Sequence, residues 1–396
     1  MRYDLIIVGG GLAGSALAKG MAETGARVLV LERERQFRDR VRGEGMHPWG
    51  VPEVRALGLY DALKAGGAID VPWWANYRGS SLIGPRNLIE TTPHGSGALN
   101  FYHPAIQEVM LRLAEASGAK IRRGVTVTKV CPGDPPTVLL QDAGHIEELE
   151  ARLVVGADGR RSQVRHWGGF EIRQDPKWLA ISGVLLDGME VEEDAIHVFL
   201  PPSFGQAALL FPLGGARCRA YFSTGRRSEH GWLSGATQLT DFITRCVESG
   251  VPASWFSGAA LAGPLATFEG ADSWVDIPYK DGVVLVGDAA ASSDPSWGCG
   301  LSLMFRDVRV LRDLLTTTDD WQAAARQYAV EHETYSSALR RIISWLRIVL
   351  YGLGAETDRI RAHALPRLAD DSGPDLLGRG PDNPADEAAR IRFLGA

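Results

Sequence analysis

The residues best suited to chemistry cluster first near the amino end. Gly9-Gly10-Gly11-Leu12-Ala13-Gly14 follows directly on Asp4-Leu5-Ile6-Ile7-Val8, and Arg27-Val28-Leu29-Val30-Leu31 ends at Glu32. Short apolar, β-branched runs of this kind read as strands buried on both faces. The alanine-rich stretch between them reads as a helix that Gly25 stops. Strand, glycine turn, helix, strand and terminal acid together make a dinucleotide-binding unit. Gly9 permits the tight turn, Gly11 lets the backbone approach a pyrophosphate, and Gly14 lets helix and strand pack closely. The phosphates belong at the helix N-terminus, at Leu12 and Ala13, where unpaired N–H groups favour anions. Glu32, followed by Arg33, can accept hydrogen bonds from both adenosine ribose hydroxyls, which suits FAD or NAD and disfavours a 2′-phosphate.

Two later glycine–acid pairs separate those cofactors. Leu153-Val154-Val155 runs into Gly156-Ala157-Asp158-Gly159, and Val283-Val284-Leu285-Val286 runs into Gly287-Asp288. A carboxylate at the C-terminal end of a parallel strand faces the crevice where ligands bind. Asp288 can hold a ribityl hydroxyl, a group that flavins have and nicotinamide dinucleotides lack. Gly-Asp and Asp-Gly are common turn pairs taken singly. Three such sites in order, each after an apolar strand, point to FAD.

In these motifs and their order the sequence resembles the FAD-dependent monooxygenases of the para-hydroxybenzoate hydroxylase type, over roughly residues 1–350. The resemblance implies that Arg42-Gly43, in the segment Arg42-Gly43-Glu44-Gly45-Met46-His47-Pro48, lies against the flavin. It implies a cofactor contact at His103, where relatives usually carry Arg. It also implies that the loop from Pro295 through Trp297 and Gly298 to Gly300 and Leu301 meets the N1–C2=O edge of the flavin ring. There a helix N-terminus stabilises the anionic reduced flavin, Pro295 stiffens the turn, and Trp297 walls off water. The implied reaction inserts one oxygen from O2, by way of a C4a-hydroperoxyflavin, into an aromatic or polycyclic small molecule by hydroxylation or epoxidation. Electrons come from NAD(P)H or a flavin reductase. Two departures stand out: Ala291 replaces the usual His and Ser302 the usual Asn.

The elements that must position these residues follow from pattern. The chain reads as α/β, with a Rossmann-like FAD-binding domain (1–78, 100–176 and 268–320), an inserted antiparallel β-sheet substrate domain (79–99 and 177–267) and a C-terminal helix and irregular tail (321–396). Leu179 to Leu186, Ala195 to Leu200, Gln206 to Leu213 and Arg217 to Ser223 read as strands between Gly, Pro and Asp turns. Arg219 and Tyr221 share one face, and the resemblance puts an Arg and a Tyr of such a strand beside the substrate. Trp73, Trp74, Tyr77 and Arg78 line an aromatic pocket or belong to the core. Trp321 to Leu353 reads as a helix whose Tyr328, Tyr335, Leu339, Ile342 and Leu346 stripe faces the core or a subunit contact.

Composition narrows the classes. The 396 residues carry 42 basic and 48 acidic side chains, a formal charge of −6 that gives no pull toward nucleic acid or an anionic membrane. Cys131, Cys218, Cys246 and Cys299 are too scattered for a metal site or disulfide frame, and suggest a reduced, cytoplasmic protein. No stretch is long and apolar enough for stable membrane insertion, and the amino end lacks a signal-peptide pattern. The expected assembly is a monomer or homodimer. Flavin-dependent halogenases share much of the implied fold, but Ile277-Pro278 lacks the two tryptophans that should precede it. A geranylgeranyl-reductase-like enzyme and a non-catalytic FAD-binding regulator remain as alternatives.

Overall fold

The computed structural model describes residues 3–41, 43–142, 144–225, 232–369 and 372–395. Five parallel strands form the backbone of the first sheet, in the order Val283–Leu285, His145–Gly156, Tyr3–Val8, Val28–Glu32 and Lys120–Arg123. Alternation explains why the first strand is apolar throughout. Leu5 and Ile7 pack against the helices Leu12–Ala22, His103–Ala116 and Gly300–Thr317, while Ile6 and Val8 pack on the opposite face. The strand holding Leu153-Val154-Val155 is longer than that run. Its first half leaves the parallel sheet and pairs antiparallel with Thr137–Asp142, which pairs in turn with Thr126–Cys131.

The second sheet runs Ala260–Leu261, Leu179–Asp187, Arg217–Gly225, Gln206–Gly214, Ala195–Leu200, Trp73–Arg78 and Ser81–Asn87. The division expected at residue 78 therefore falls inside a hairpin. Trp73–Arg78 belongs to this sheet, paired parallel with Ala195–Leu200 and antiparallel with Ser81–Asn87 around Gly79 at φ +56°. The sheet is otherwise antiparallel, and its two faces do different jobs. Leu210, Ala220 and Phe222 face the helix Leu239–Glu248, whose Phe242 and Cys246 complete a separate core. Their neighbours Leu209, Tyr221 and Ser223 face a cavity.

The helix Trp321–Tyr351 buries Tyr328, Leu339, Ile342 and Leu346, so the aromatic and aliphatic stripe faces inward, with Leu346 reaching the wall of the cavity described below. The region is more helical than one helix and an irregular tail: a second helix, Ala355–Ala369, follows, the irregular stretch 372–386 wraps back onto the molecule, and a short helix, Glu387–Leu394, comes last. Asp375 forms a two-pronged ion pair with Arg86 (2.8 and 2.9 Å), and Asn383 Nδ2 donates to the carbonyls of Asp375 and Gly380. Among the described residues no helix is long and apolar enough to cross a membrane.

Candidate flavin site

At the C-terminal edge of the parallel strands a groove of about 260 Å³ is lined by Gly9, Gly11, Glu32, Arg33, Asp158 and Gly159, among others. Its glycines are required for different reasons. Gly9 has φ +104°, and a Cβ there would stand 2.5 Å from the Ala157 carbonyl oxygen. A Cβ on Gly14 would stand 1.9 Å from the Gly9 oxygen, so helix and turn touch through backbone alone. At Gly11 the nearest atom is 3.6 Å away, and the open space before the helix start at Leu12 and Ala13 is a cradle that a side chain would fill. Glu32 is oriented by backbone, accepting the Gly10 N–H (2.7 Å) and the Glu34 N–H (2.8 Å), one on each carboxylate oxygen. Asp158 organises its own turn, accepting from the Ser162 hydroxyl and from the N–H groups of Gln163 and Val164. These donors, cradle and ribose-facing acid fit FAD.

A second cavity, of about 270 Å³, lies along two of the same chain segments. Arg38 and Arg40 line the groove and Val41, Gly43 and Glu44 the cavity; likewise Gly159 and Arg161 line the groove and Arg160 the cavity. Two chain segments thus border both spaces, as a long dinucleotide running from one into the other requires. The cavity also contains Pro295, Trp297 and Gly298. Opposite these lie Ile181, Leu209 and Phe211 of the sheet, with Trp74 beside them, and Leu346, Leu350 and Tyr351 of the C-terminal helix. Of the early aromatic cluster only Trp74 is on this wall: Tyr77 stacks on Phe199 (centroids 4.1 Å apart) and Arg78 lies over Phe204. The walls are mostly apolar, with polar and charged side chains such as Glu44, His47, Arg86, Arg160 and Asp375 set among them. Tyr351 and Ser223 share a hydrogen bond of 2.7 Å.

Buried charges hold the loop that forms one side of this cavity. Asp294 accepts from the Ser296 N–H and hydroxyl, and its own N–H donates to Asp272 (2.8 Å), which Arg347 of the C-terminal helix meets at 3.1 Å. Burial pushes the Asp272 carboxyl up to about 6, against the pull of Arg347 and the backbone hydrogen bond. Gly298 ends the turn at φ +66°. His47 faces it, with Nε2 at 2.6 Å from the Trp297 carbonyl, which fixes the proton on that nitrogen; burial lowers the ring's affinity for a second proton. The His47 N–H donates to Ser302 Oγ (3.1 Å), so the Ser302 departure ties the two segments together. Ser302 also crosses Gly50 so closely that a Cβ on Gly50 would lie 2.5 Å from Oγ. Ala291, the other departure, is buried beside Trp49 and Trp274.

The remaining candidates, Gly287, Asp288, Gly300, Leu301 and His103, line neither the groove nor the cavity. Gly287, at φ +59°, donates its N–H to Asp307 (2.8 Å), which Tyr335 and His332 also contact. Asp288 is half-buried and 3.5 Å from Arg160. Gly300 and Leu301 open the helix Gly300–Thr317. His103 sits at the start of its helix with Nδ1 3.3 Å from the Gly43 carbonyl, next to the cavity segment. Arg42 lies outside the described residues.

Arg219 needs correction. It is fully buried and absent from the cavity wall, because its guanidinium turns to two acids: Asp39 Oδ2 at 2.7 Å and Glu44 Oε1 at 2.9 Å. Tyr221 is the wall residue of the pair, donating its hydroxyl to Glu44 Oε2 at 2.8 Å. Burial pushes Glu44 up to about 7 despite Arg219 and Tyr221. Glu44 and His47, in the segment that the resemblance placed at the flavin but with no role of their own there, line the cavity, and Asp39, which sequence reasoning missed, holds Arg219. An acid set between two glycines, Gly43 and Gly45, was the one available signal for Glu44; nothing local marks Asp39.

A Rossmann-like cofactor domain with an inserted sheet is the fold of an FAD-dependent oxidoreductase. The chain belongs to the family described as FAD binding domain, whose model matches residues 2–326. It is 29% identical over 314 residues to the digeranylgeranylglycerophospholipid reductase 2 of Methanopyrus kandleri, covering 76% of this chain and 74% of that protein. It is 26% identical over 381 residues to the squalene monooxygenase of Mus musculus, covering 90% of this chain and 62% of that one. Among solved structures it is similar to PqsL of Pseudomonas aeruginosa in complex with 2-aminobenzoylacetate, with a TM-score of 0.75, 21% identity and coverage of 89% of this chain and 97% of that one. The fold expected from the para-hydroxybenzoate hydroxylase resemblance is thus the fold observed.

Proposed function

We propose that this protein is a flavin monooxygenase that inserts one atom of O2 into an aromatic or polycyclic small molecule, by hydroxylation or epoxidation. The mostly apolar cavity beside the cofactor groove, bordered by two chain segments that also line the groove, is the observation that carries this reading. Bound FAD supplies hydride acceptance and oxygen activation; NAD(P)H or a partner reductase supplies the electrons. Gly9, Gly11, Gly14, Glu32, Asp158, Gly159, Gly287 and Asp288 hold the cofactor. Pro295, Trp297, Gly298 and Gly43 border its reacting end. Leu209, Phe211 and Trp74 exclude water and orient an apolar substrate.

The test is to reduce the FAD-loaded protein under nitrogen, mix it with aerated buffer, and follow flavin reoxidation with and without candidate aromatic compounds. A substrate-dependent change in reoxidation rate, with an oxygenated product, supports the reading. Full turnover without O2 opposes it. A second reading, reduction of an isoprenoid double bond, is favoured by the similarity to the Methanopyrus kandleri reductase. It predicts a saturated product under strict anaerobiosis.

A further inference from the structure

We propose that Glu44 is a proton acceptor coupled to the flavin, taking up one proton from solvent when two-electron reduction brings negative charge into the cavity. The proposal rests on FAD binding and not on the choice between oxygenase and reductase.

Glu44 is placed for this by its backbone. At Gly43 a Cβ would meet nothing within 4 Å, so the space before it is open to a ligand. At Gly45 a Cβ would stand 2.7 Å from the Phe211 ring, which clamps the chain on the other side. Between them the carboxyl is fully buried, with Oε2 bound to Tyr221 and Oε1 lacking a well-formed hydrogen bond although Arg219 Nη2 is near.

The charge count of the cluster then decides which group responds. Among the described residues, Arg219 is the cation that meets the two carboxylates; Arg217, which lies over the Tyr102 ring, is taken up by Asp187. Both oxygens of Asp39 are already taken up by donors, Oδ2 by Arg219 and Oδ1 by the Val41 N–H (2.8 Å). Tyr221, Tyr102 and Cys218 also face the cluster, and burial raises all three pKa values, so they stay neutral at ordinary pH. Glu44 is left as the group that can change charge near neutrality. In a poorly screened cavity a second negative charge nearby raises a carboxyl's proton affinity by about one pH unit or more.

The step balances. Oxidised flavin takes two electrons and one proton, or a hydride from a nicotinamide donor, and becomes its anionic reduced form. The Glu44 carboxylate takes one further proton from water and becomes a neutral acid, so the net charge of the cavity is unchanged.

The midpoint potential of the FAD-loaded full chain, measured against pH by equilibration with redox dyes, reads this directly. Wild type should show a two-proton slope beginning at about pH 7 and returning to a one-proton slope at higher pH. Glu44→Gln should keep the one-proton slope throughout. Asp39→Asn removes a neighbouring negative charge and should move the two-proton window to lower pH. Tyr221→Phe removes a hydrogen bond that favours the carboxylate and should move it higher. A one-proton slope in wild type, or a two-proton slope that survives in Glu44→Gln, overturns the proposal. If Glu44→Gln does not retain FAD, an unmoved window in Asp39→Asn overturns it instead. None of these outcomes depends on which substrate reaction the enzyme performs.

Discussion

Gly9, Gly11 and Gly14 lie within six residues of one another and shape the groove with backbone alone. Glu44, Tyr221 and Tyr351, by contrast, meet around the cavity from segments far apart in the chain. The two spaces lie along the same chain segments, yet they are specified by different means. The groove depends on the absence of side chains at fixed positions; the cavity depends on side-chain volume and on buried charges that must balance. The first kind of specification is rigid and local. The second can be altered one residue at a time, which lets one fold serve many substrates.

That contrast can be broken at either end. The largest effect is expected from Gly14→Ala, since a Cβ 1.9 Å from the Gly9 oxygen cannot be accommodated without moving the helix from the turn. The expected outcome is loss of FAD from the purified protein, read as the ratio of flavin to protein absorbance. Next comes Arg219→Met, which leaves Asp39 and Glu44 buried without their cation. Removing one partner of a buried pair costs about 3–5 kcal/mol, so a marked fall in melting temperature should follow. Here side-chain charge, not backbone shape, is under test.

A smaller effect concerns Asp272, beneath the Pro295 loop. Its folded-state pKa, about 6, lies above its ordinary value, so the stability it contributes is present below about pH 4 and lost as pH rises through about 6. Asp272→Asn removes that dependence. Between those limits wild type should lose on the order of 3 kcal/mol relative to the variant, measured by urea unfolding at each pH. The mildest change is Leu209→Ala on the cavity wall. It should weaken binding of apolar ligands by about tenfold, close to 1.4 kcal/mol, while FAD content stays at the wild-type level. Equal loss of FAD there would erase the distinction between groove and cavity.

How much was legible in sequence follows the same line. The glycine turn, the Glu32 strand end and the four strands from Leu179 to Gly225 are written in local periodicity and turn residues, and the structure has them. The place of Trp73–Arg78 was not, because its pairing with Ala195–Leu200 is a long-range event that its own pattern does not encode. Arg219 and Tyr221 were readable as one strand face, yet not as a buried ion cluster with a wall tyrosine. That outcome turns on Asp39 and Glu44, which reach the strand from a segment well over a hundred residues earlier.

The central claim, that this cavity serves oxygen transfer to an apolar substrate, is tested most directly by isotope. The reduced, FAD-loaded protein would be mixed with oxygen-18 gas and a panel of polycyclic aromatic and polyprenyl compounds, and the products analysed by mass. The account predicts one labelled oxygen atom in a product, with the second appearing in water. A product carrying two added hydrogens and no label, formed equally well without O2, would contradict it.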